Sequence, residues 1–225
     1  MKEDVVVTGA NYEVTWCNVG MNGRVSDGGV WNRSCFGQAL ETSVRDLNFP
    51  PPEPLPLRTR ECPYVIIGDD AFALKTNLMK PFPQQNLDIQ SRICNYRFSR
   101  ARRVVENVFG ILRNRWGIFG SPISLKPDKV ELLTMTAVCL HNWLIRGVSK
   151  SVYVPQSLVD HIEPTGEIVP GTWRDDVTAT VCSFLPLQKL AHGNKPSRHA
   201  KLVRDEFKEY FYEEGAVSWQ WSKCM

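Results

Sequence analysis

Residues 92–115 read RICNYRFSRARRVVENVFGILRNR and contain seven arginines but a single carboxylate, Glu106. At helical spacing, Val105, Phe109 and Leu112 form one apolar stripe, and Glu106 lies beside it at the rim between core and solvent. These residues alone leave two interpretations of Glu106 open. It is either a surface acid neutralised by an arginine one turn away, or a metal ligand on a helix whose arginines hold a polyanion.

The composition is that of a globular protein, with 43% hydrophobic residues and a mildly basic balance of 27 Lys and Arg against 24 Asp and Glu. The positive charge is concentrated in residues 92–115, which favours a local anion-binding surface. Seven scattered cysteines without a C-x-x-C pair indicate reduced intracellular thiols rather than disulfides or a zinc site. The sequence shows neither a signal-peptide core nor an apolar run of about 18 residues, so we expect a soluble protein of the nucleus or the cytoplasm.

The first third of the chain predicts a hairpin and a buried strand. Residues 5–7 and 12–19 are β-branched and aromatic runs separated by a glycine-containing turn, which is typical of a β-hairpin. A proline-rich stretch at 49–56 predicts an extended connector. Residues 64–68, Tyr-Val-Ile-Ile-Gly, then predict a short strand that is buried on both faces.

Two acids, Asp69 and Asp70, follow directly after this strand. In open α/β sheets the carboxyl ends of the strands are where ligands and catalytic groups collect. Asp70 is explained as the N-cap of a short helix that follows. Asp69 lacks such an explanation, since a carboxylate at the end of an apolar strand needs a partner, and we assign it as the functional acid.

The helical pattern predicts helices at residues 36–44, 86–116, 126–146 and 197–213. For the second of these, one continuous helix and two helices broken near residues 95–99 are both open. The third is predicted to pack into the core through Val130, Leu133, Ala137, Leu140 and Leu144. His141 on the same helix is interpreted as a hydrogen-bonded core histidine, and residues 149–193 are predicted to be mostly irregular.

An acid at a strand end and a second acid on a later helix, beside a basic surface, fit metal-dependent phosphoryl transfer. Mg²⁺ prefers oxygen ligands and is typically held by one or two protein carboxylates. Paired ions can activate a nucleophile and stabilise the leaving oxygen. Arginines would hold the phosphate backbone, a contact that carries affinity but little sequence information.

Four blocks of the sequence strengthen this interpretation. They are Asn18-Val-Gly-x-x-Gly-x-x-Ser-Asp27; Tyr64-Val-Ile-Ile-Gly-Asp-Asp-Ala-Phe72 with Met79-Lys-Pro-Phe-Pro83; Asn95-Tyr-Arg-Phe-Ser-Arg-Ala-Arg-Arg-Val-Val-Glu-Asn-Val-Phe-Gly110; and Leu140-His-Asn-Trp143. In order and spacing, over roughly residues 5 to 146, they resemble the nuclease domain of PIF/Harbinger-type DDE transposases and their domesticated relatives, the DDE transposase family 4 domain.

The resemblance implies an α/β, RNase H-like mixed sheet flanked by helices and a triad of two aspartates and one glutamate that binds Mg²⁺ or Mn²⁺. By position Asp69 matches the second aspartate and Glu106 the glutamate, with Asp70 as a further candidate ligand. The strand that carries the first aspartate in the family is absent from this sequence, so we expect a weakened or inactive site. Residues 1–148 would form this partial domain, and 149–225 a partly irregular extension that ends in a helix.

Two functions follow from the resemblance. The chain is either a divalent-metal-binding, DDE-type endonuclease domain acting on DNA phosphodiester bonds, or a domesticated, non-catalytic module that binds DNA or protein. DNA is the expected partner, a separate DNA-binding protein is a further candidate, and no membrane partner is expected. A nuclear location follows from DNA as the partner. The arginines expected to contact DNA are Arg97, Arg100, Arg102, Arg103 and Arg113.

Overall fold

The computed structural model describes residues 2–22, 27–179 and 196–224, and side chains at 5–20, 28–175 and 196–224. The helices within these ranges are α1 (Asp27–Arg33), α2 (Cys35–Thr42), α3 (Ile89–Arg115), α4 (Pro127–Arg146), α5 (Lys150–Tyr153), α6 (Arg198–Tyr212) and α7 (Gln220–Cys224). The strands are β1 (Lys2–Thr8), β2 (Val14–Asn22), β3 (Glu53–Pro54), β4 (Glu61–Cys62), β5 (Ile66–Ile67), β6 (Leu78–Met79), β7 (His161–Ile162) and β8 (Ile168–Val169). Short 3-10 helices lie at Val44–Leu47, Gly117–Phe119, Gln156–Leu158 and Thr172–Ala179.

These elements confirm a mixed α/β protein. In the described ranges the strands pair as four separate two-stranded sheets, of which β5 with β6 is parallel. The α-helices predicted near residues 36–44, 126–146 and 197–213 are present as α2, α4 and α6. None of the helices in the described ranges is both long and apolar enough to cross a membrane.

The chain divides into two compact units. One comprises residues 1–25 and 103–187, and the other comprises residues 26–102 and 188–225. Helix α3 contributes its first half to the second unit and its second half to the first. The segment after α4 packs with the N-terminal hairpin and the second half of α3, and the division of the chain at residue 148 stays a prediction.

In the first unit, β1 and β2 form the predicted hairpin, and α4 is fastened to it by a side-chain amide. Asn142 donates from Nδ2 to the carbonyl oxygen of Val14 at 2.8 Å and accepts at Oδ1 from the N–H of Val14 at 2.9 Å. The side chains of Val14, Val108, Leu112 and Val138 are buried together beneath this contact. The amide therefore binds both backbone groups of Val14, the residue of β2 that faces Thr8 in the hairpin register.

His141 is a buried, fully bonded histidine, as predicted. Its Nε2 lies 2.8 Å from the carbonyl oxygen of Tyr12, and its Nδ1 lies 2.9 Å from the hydroxyl of Tyr153. A carbonyl can only accept, so Nε2 carries the proton and Nδ1 accepts from the tyrosine hydroxyl. Burial lowers the pKa of His141, and the hydrogen bond to Tyr12 opposes this effect only in part. The lowered pKa keeps the ring neutral at physiological pH.

The predicted core face of α4 is confirmed in part. Ala137 is buried as predicted, together with Val138, His141 and Ile145, and Leu144 packs against the core that contains Ile145, whereas Leu133 and Leu140 are exposed. The helix turns the His141 and Asn142 side of its surface toward the hairpin, because those two side chains bond to it. Leu133 and Leu140 consequently lie away from the core.

Helix α3 runs without a break from Ile89 to Arg115, so the suggested interruption near residues 95–99 is not present. The predicted apolar stripe is also displaced. Val108 and Ile111 are fully buried and Leu112 is buried, whereas Phe109 is 47% exposed. Asn107 is buried among them, a polar position that a purely apolar pattern does not identify.

The segment after α4 is folded where the structure describes it, in contrast to the irregular tail that was predicted. After α5, strands β7 and β8 form an antiparallel hairpin, and the 3-10 helix Thr172–Ala179 follows. Its apolar side chains form one core with the second half of α3 and the end of α4; this core contains Ile111, Ile145, Tyr153, Val154, Leu158 and Val159. The rest of the predicted tail, residues 180–193, lies outside the described residues.

In the second unit, a core of Cys62, Leu74, Met79, Cys94, Phe98, Ala200 and Val203 joins the β5–β6 region, the first half of α3 and α6. Strand β5 is shorter than predicted, at Ile66–Ile67, and its side chains are half-buried rather than fully buried. Tyr64, just before it, is exposed. The parallel partner β6 lies only eleven residues further along the chain, so the strand is part of a small ladder rather than of a wide buried sheet.

The Asn142 contact generates a prediction about stability. Asn142→Ala removes both hydrogen bonds to Val14 and leaves a part-buried backbone position of β2 unsatisfied, so the free energy of unfolding should fall by about 2 kcal/mol. Cys139→Ala, at an exposed position of the same helix, is the matched control and should change it by less than about 0.5 kcal/mol. Urea denaturation followed by circular dichroism measures both. Equal stabilities of the two variants would show that the amide does not fasten α4 to the hairpin.

Candidate functional site

Asp69 lies at the carboxyl end of strand β5, where the sequence places it. The N–H of Gly68 donates to the carbonyl oxygen of Met79 at 2.8 Å, which extends the parallel pairing up to this point. The Oδ1 of Asp69 then accepts from the N–H of Ala71 at 2.8 Å and closes a tight turn. No helix begins here in the described structure, so the N-cap role assigned to Asp70 is wrong, and Asp69 makes the turn contact instead.

The second carboxylate oxygen of Asp69 has only a weak partner. The Nη2 of Arg102 lies 3.8 Å from Oδ2, and the two side chains are 30% and 35% exposed. Exposed pairs at this distance contribute little free energy, so the carboxylate remains accessible to a cation. Asp70 lies beside Lys80, whose Nζ is 3.5 Å from its Oδ1 and donates to its carbonyl oxygen at 3.1 Å.

Glu106 is held in the first unit by a residue far along the chain. Its Oε2 accepts from the Nη2 of Arg174 at 3.3 Å, and its side chain is 45% exposed. The observed partner of Glu106 is therefore not an arginine of the same helix. It is Arg174, and this ion pair connects α3 to the 3-10 helix Thr172–Ala179. Arg103, one turn before Glu106 on α3, pairs with Asp160 at 3.5 Å.

Asp160 organises the surroundings of Glu106 from within the core. Its side chain is only 1% exposed. It accepts at Oδ1 from the Nε of Arg174 and from the N–H of Gly171, both at 2.9 Å, and its Oδ2 takes a further, short hydrogen bond from the Nη2 of Arg174. Burial alone would raise the pKa of Asp160, but the hydrogen bonds from Arg174 and Gly171 and the nearby arginine charges lower it.

A buried amide next to Glu106 fastens Asp160 to helix α3. Asn107 donates from Nδ2 to the carbonyl oxygen of Asp160 at 3.0 Å and accepts at Oδ1 from its N–H at 2.9 Å. The same Oδ1 accepts from the indole Nε1 of Trp173 at 3.1 Å. Glu106 and Asn107 are consecutive residues. The same turn of α3 therefore fixes the position of Asn107, which binds the segment, and of Glu106, the candidate metal ligand.

Sequence reasoning missed Asp160 and Arg174 because both lie in the segment that was predicted to be irregular. A local signal was available in Asp160 itself, an acid that directly follows the apolar residues Leu158 and Val159. An acid in such a place is either a turn residue or the buried partner of a cation. Which cation it binds could not be read from the sequence, since Arg174 is separated from it by a hairpin.

The five arginines that were expected to contact DNA fall into two groups. Arg97 stacks over Phe211 at 4.7 Å and donates to the carbonyl oxygen of Gly215 at 3.1 Å. Arg100 is buried, stacks over Trp219 at 3.9 Å and donates to the hydroxyl of Tyr96 at 3.0 Å. These two therefore stabilise the second unit. The other three are half-buried and present part of their side chains to solvent; they are Arg102, Arg103 and Arg113.

Asp69 and Glu106 belong to different units, and each has its own set of contacts within its unit. Within the described residues there is no group of three or more His, Cys, Asp or Glu side chains that could hold a metal ion. The two carboxylates nevertheless fit a hard divalent cation chemically, since each is a partly exposed oxygen donor. Each also has one oxygen committed to a positioning contact, to Ala71 in one case and to Arg174 in the other.

Comparison with protein families gives one match. A family model described as DDE superfamily endonuclease matches residues 4–142, which is more than half of the 225 residues and includes both Asp69 and Glu106. No curated protein and no solved structure matches the chain.

The contacts of Asp160 generate a prediction about pH. A carboxylate whose pKa is lower in the folded than in the unfolded chain stabilises the fold above its ordinary pKa of 3.8, and this contribution is lost as the pH falls through the folded value. Asp160→Asn removes the buried negative charge that Arg174 and Arg103 both face, so at pH 7 the free energy of unfolding should fall by about 3 kcal/mol. The difference between variant and wild type should shrink below pH 4.

Urea denaturation at pH 7 and at pH 3 measures this prediction. Asp128→Asn, which removes one negative charge in the first turn of α4, is the control for general charge effects. A difference between Asp160→Asn and wild type that stays the same at both pH values would contradict the role of the carboxylate charge.

Proposed function

Because the chain belongs to the family of DDE superfamily endonucleases, we propose that it is a transposase-derived nuclease domain that acts on DNA phosphodiester bonds with the help of a divalent metal. The observation that carries this proposal is the family match over residues 4–142, which spans both candidate acids. The blocks around Asn18, Tyr64, Asn95 and Leu140 support membership of the PIF/Harbinger type. We propose an RNase H-like fold for the matched region on the same basis.

Asp69 and Glu106 are the proposed ligands of Mg²⁺ or Mn²⁺, with Asp70 as an additional one. Their support is chemical: both carboxylates are partly exposed, and among the described residues each keeps one oxygen outside its positioning hydrogen bond. A bound divalent cation supplies positive charge that stabilises the negative charge of the phosphate as it reacts. The contribution of the chain is to hold the carboxylates, Asp69 through the Ala71 turn and Glu106 through Arg174.

DNA is the proposed substrate and partner, with phosphate contacts from the arginines of α3. Arg102, Arg103 and Arg113 are the main candidates, because Arg97 and Arg100 have their guanidinium groups stacked on aromatic rings within the second unit. Such contacts position the backbone of DNA without reading its sequence. A separate DNA-binding protein would then supply the target specificity, and a nuclear location is the corresponding proposal.

A non-catalytic, DNA- or protein-binding module is the second candidate function. Two observations favour it: Glu106 is already paired with Arg174, and the described residues lack a cluster of three acids. A site with two carboxylates should bind metal weakly and cleave slowly or not at all, because a family triad has a third acid. The two candidates differ in whether Asp69 and Glu106 bind a divalent cation at all.

Metal binding tests the first candidate. Asp69→Asn and Glu106→Gln should each raise the Kd for Mn²⁺ by about tenfold or more, since each removes a charged oxygen ligand. Glu131→Gln, at an exposed position of α4, is the control and should leave the Kd unchanged. The free Mn²⁺ signal in electron paramagnetic resonance measures the Kd directly.

If both ligand variants bind Mn²⁺ as the wild type does, the proposed site is wrong and the non-catalytic module is favoured. Nicking of supercoiled plasmid in the presence of Mn²⁺ gives a second readout. Slow or undetectable nicking is expected. Rapid nicking that Asp69→Ala abolishes would show that a third acid completes the site.

Salt dependence tests the proposed DNA contacts. The affinity for a short duplex should fall steeply between 50 and 200 mM salt because arginine–phosphate contacts release counterions. Arg102→Gln should lower the affinity and reduce the slope of log K against log salt by about one. Arg45→Gln, an exposed arginine of the same unit, is the control. Fluorescence anisotropy measures both, and binding that is independent of salt would exclude a phosphate-dominated interface.

A further inference from the structure

Helix α4 carries an apolar surface on the side that faces away from the core. Leu132 and Trp143 lie three turns apart at the centre of this side, and the two residues are 61% and 71% exposed. Leu133, Met135 and Leu140 border them and are also exposed. At about 100° per residue, these five residues, the outer face of α4, lie opposite the buried side that packs against the hairpin. A helix that is apolar on both sides is normally covered on both.

The outer face of α4 has the size of an interaction surface. Its five residues expose on the order of 500 Å² in total, and an apolar patch of several hundred Å² on a soluble monomer marks an interaction site. A stable protein interface buries roughly 800 Å² on each partner, with an apolar centre and a polar rim. The outer face is therefore large enough to be the centre of one such interface, with its polar neighbours as the rim.

Opposite charges border the two ends of the outer face. Asp128 lies in the first turn of α4 and Arg146 in the last. They are 18 residues apart, which is five whole turns, so they lie along one line of the helix at a separation of about 27 Å. Arg146 donates from its Nε to Glu13 at 3.0 Å, while 68% of its side chain stays exposed. A partner that covers the outer face would thus meet an acid at one end and a guanidinium group at the other.

A second copy of the chain complements this charge arrangement. A two-fold axis through the middle of α4 reverses the direction of the helix, so Asp128 of each copy comes beside Arg146 of the other. The two helix dipoles are then antiparallel, which is also favourable. A parallel pair would instead place like charges together at each end. The surface is therefore complementary to itself in the antiparallel orientation.

The shape of the outer face suits the same arrangement. Its middle is occupied by Thr136 and Cys139, two small exposed residues that allow a second helix to approach closely. The larger side chains lie towards its ends, so the indole of Trp143 in one copy packs near Leu132 of the other. A large aromatic side chain in such a place contributes much of the stability of an interface.

From the size, the charge pattern and the shape of the outer face we propose that it is an interface between two copies of the chain, in which the two α4 helices pack antiparallel around a two-fold axis. Asp128 of each copy pairs with Arg146 of the other at the rim, and Leu132 and Trp143 belong to the apolar centre. The interface involves neither Asp69 nor Glu106, so it goes beyond the proposed nuclease function.

Sedimentation velocity of the complete chain tests the interface. Between about 1 and about 100 μM the wild type should pass reversibly from monomer to dimer. Trp143→Ser should raise the Kd of the dimer at least tenfold, since it removes the largest apolar side chain of the outer face. Leu57→Asn, at an exposed position of the other unit with a positive φ that asparagine tolerates, is the matched control and should leave the Kd unchanged. Circular dichroism verifies that each variant is folded.

Charge reversal tests the antiparallel orientation. Asp128→Arg and Arg146→Asp should each raise the Kd of the dimer several-fold, because each places like charges together at both ends. The two changes combined should return the Kd to near the wild-type value. Within one chain these positions are about 27 Å apart, well beyond the screening length at physiological salt, so the restoration can arise only between copies. Arg45→Asp combined with Asp128→Arg is the matched control and should not restore the Kd.

A chain that stays monomeric over the whole concentration range would overturn the proposal, and the outer face would then belong to a different partner. A dimer that Trp143→Ser does not weaken would overturn the assignment of the interface to α4. A dimer that Trp143→Ser weakens but the double charge reversal does not restore would overturn the antiparallel arrangement. Weakening by Trp143→Ser together with restoration by the charge reversal would support it. The Kd for Mn²⁺ should be the same in all these variants, so the nuclease function and the interface stand or fall separately.

Discussion

The amide of Asn107 is the contact on which the arrangement around Glu106 depends. It forms both a donor and an acceptor bond to the backbone of Asp160 and accepts the indole N–H of Trp173. A buried backbone position that is not part of a sheet must find partners elsewhere, and an asparagine side chain supplies the one donor and one acceptor that a peptide group needs. Arg103 and Glu106 of α3 also pair with side chains of the segment after α5, but Asn107 binds its backbone.

In the described part of the chain, an asparagine side chain binds both backbone groups of one residue at three places, each time from a helix. Asn95 of α3 binds the N–H and the carbonyl oxygen of Phe82 in the second unit, at 2.6 and 2.9 Å. Asn107 and Asn142 do so for Asp160 and Val14 in the first unit. Helix backbones have already used their own hydrogen-bonding groups, so a helix can hold an irregular or edge segment only through its side chains. Asparagine is a poor helix former, and the contacts explain why it is tolerated at these positions.

The elements that depend on local pattern were predictable from the sequence, and those that depend on distant partners were not. The hairpin, α4 and α6 follow from β-branched runs, the Lys126-Pro127 start and the Ser197 cap. The core face of α4 was predicted only in part, because His141 and Asn142 bond to the hairpin and this turns two of the predicted leucines outward. The fold of residues 150–179 was missed because its stability comes from contacts with α3, which no local periodicity records.

The candidate site shows the same contrast. Asp69 and Glu106 were identifiable as acids at a strand end and on a basic helix, and the family match includes both of them. The partners that hold the two acids were not identifiable, since Ala71 binds through its backbone and Arg174 lies beyond a hairpin. Arginine content also proved ambiguous: Arg97 and Arg100 contribute to the basic composition of α3, yet both are stacked on aromatic rings inside the fold.

The adjacency of Glu106 and Asn107 connects the fold to the site. Consecutive residues of an α-helix point about 100° apart, so one can be buried while the next reaches the solvent. Asn107 is buried and fixes the rotation of α3 relative to the segment that carries Arg174. Glu106 is thereby directed to the rim, beside the guanidinium group that the same segment supplies. A change that rotated α3 by one residue would move the amide away from Asp160 and the carboxylate away from Arg174 together, so the geometry of the candidate ligand and the packing of the core cannot vary independently.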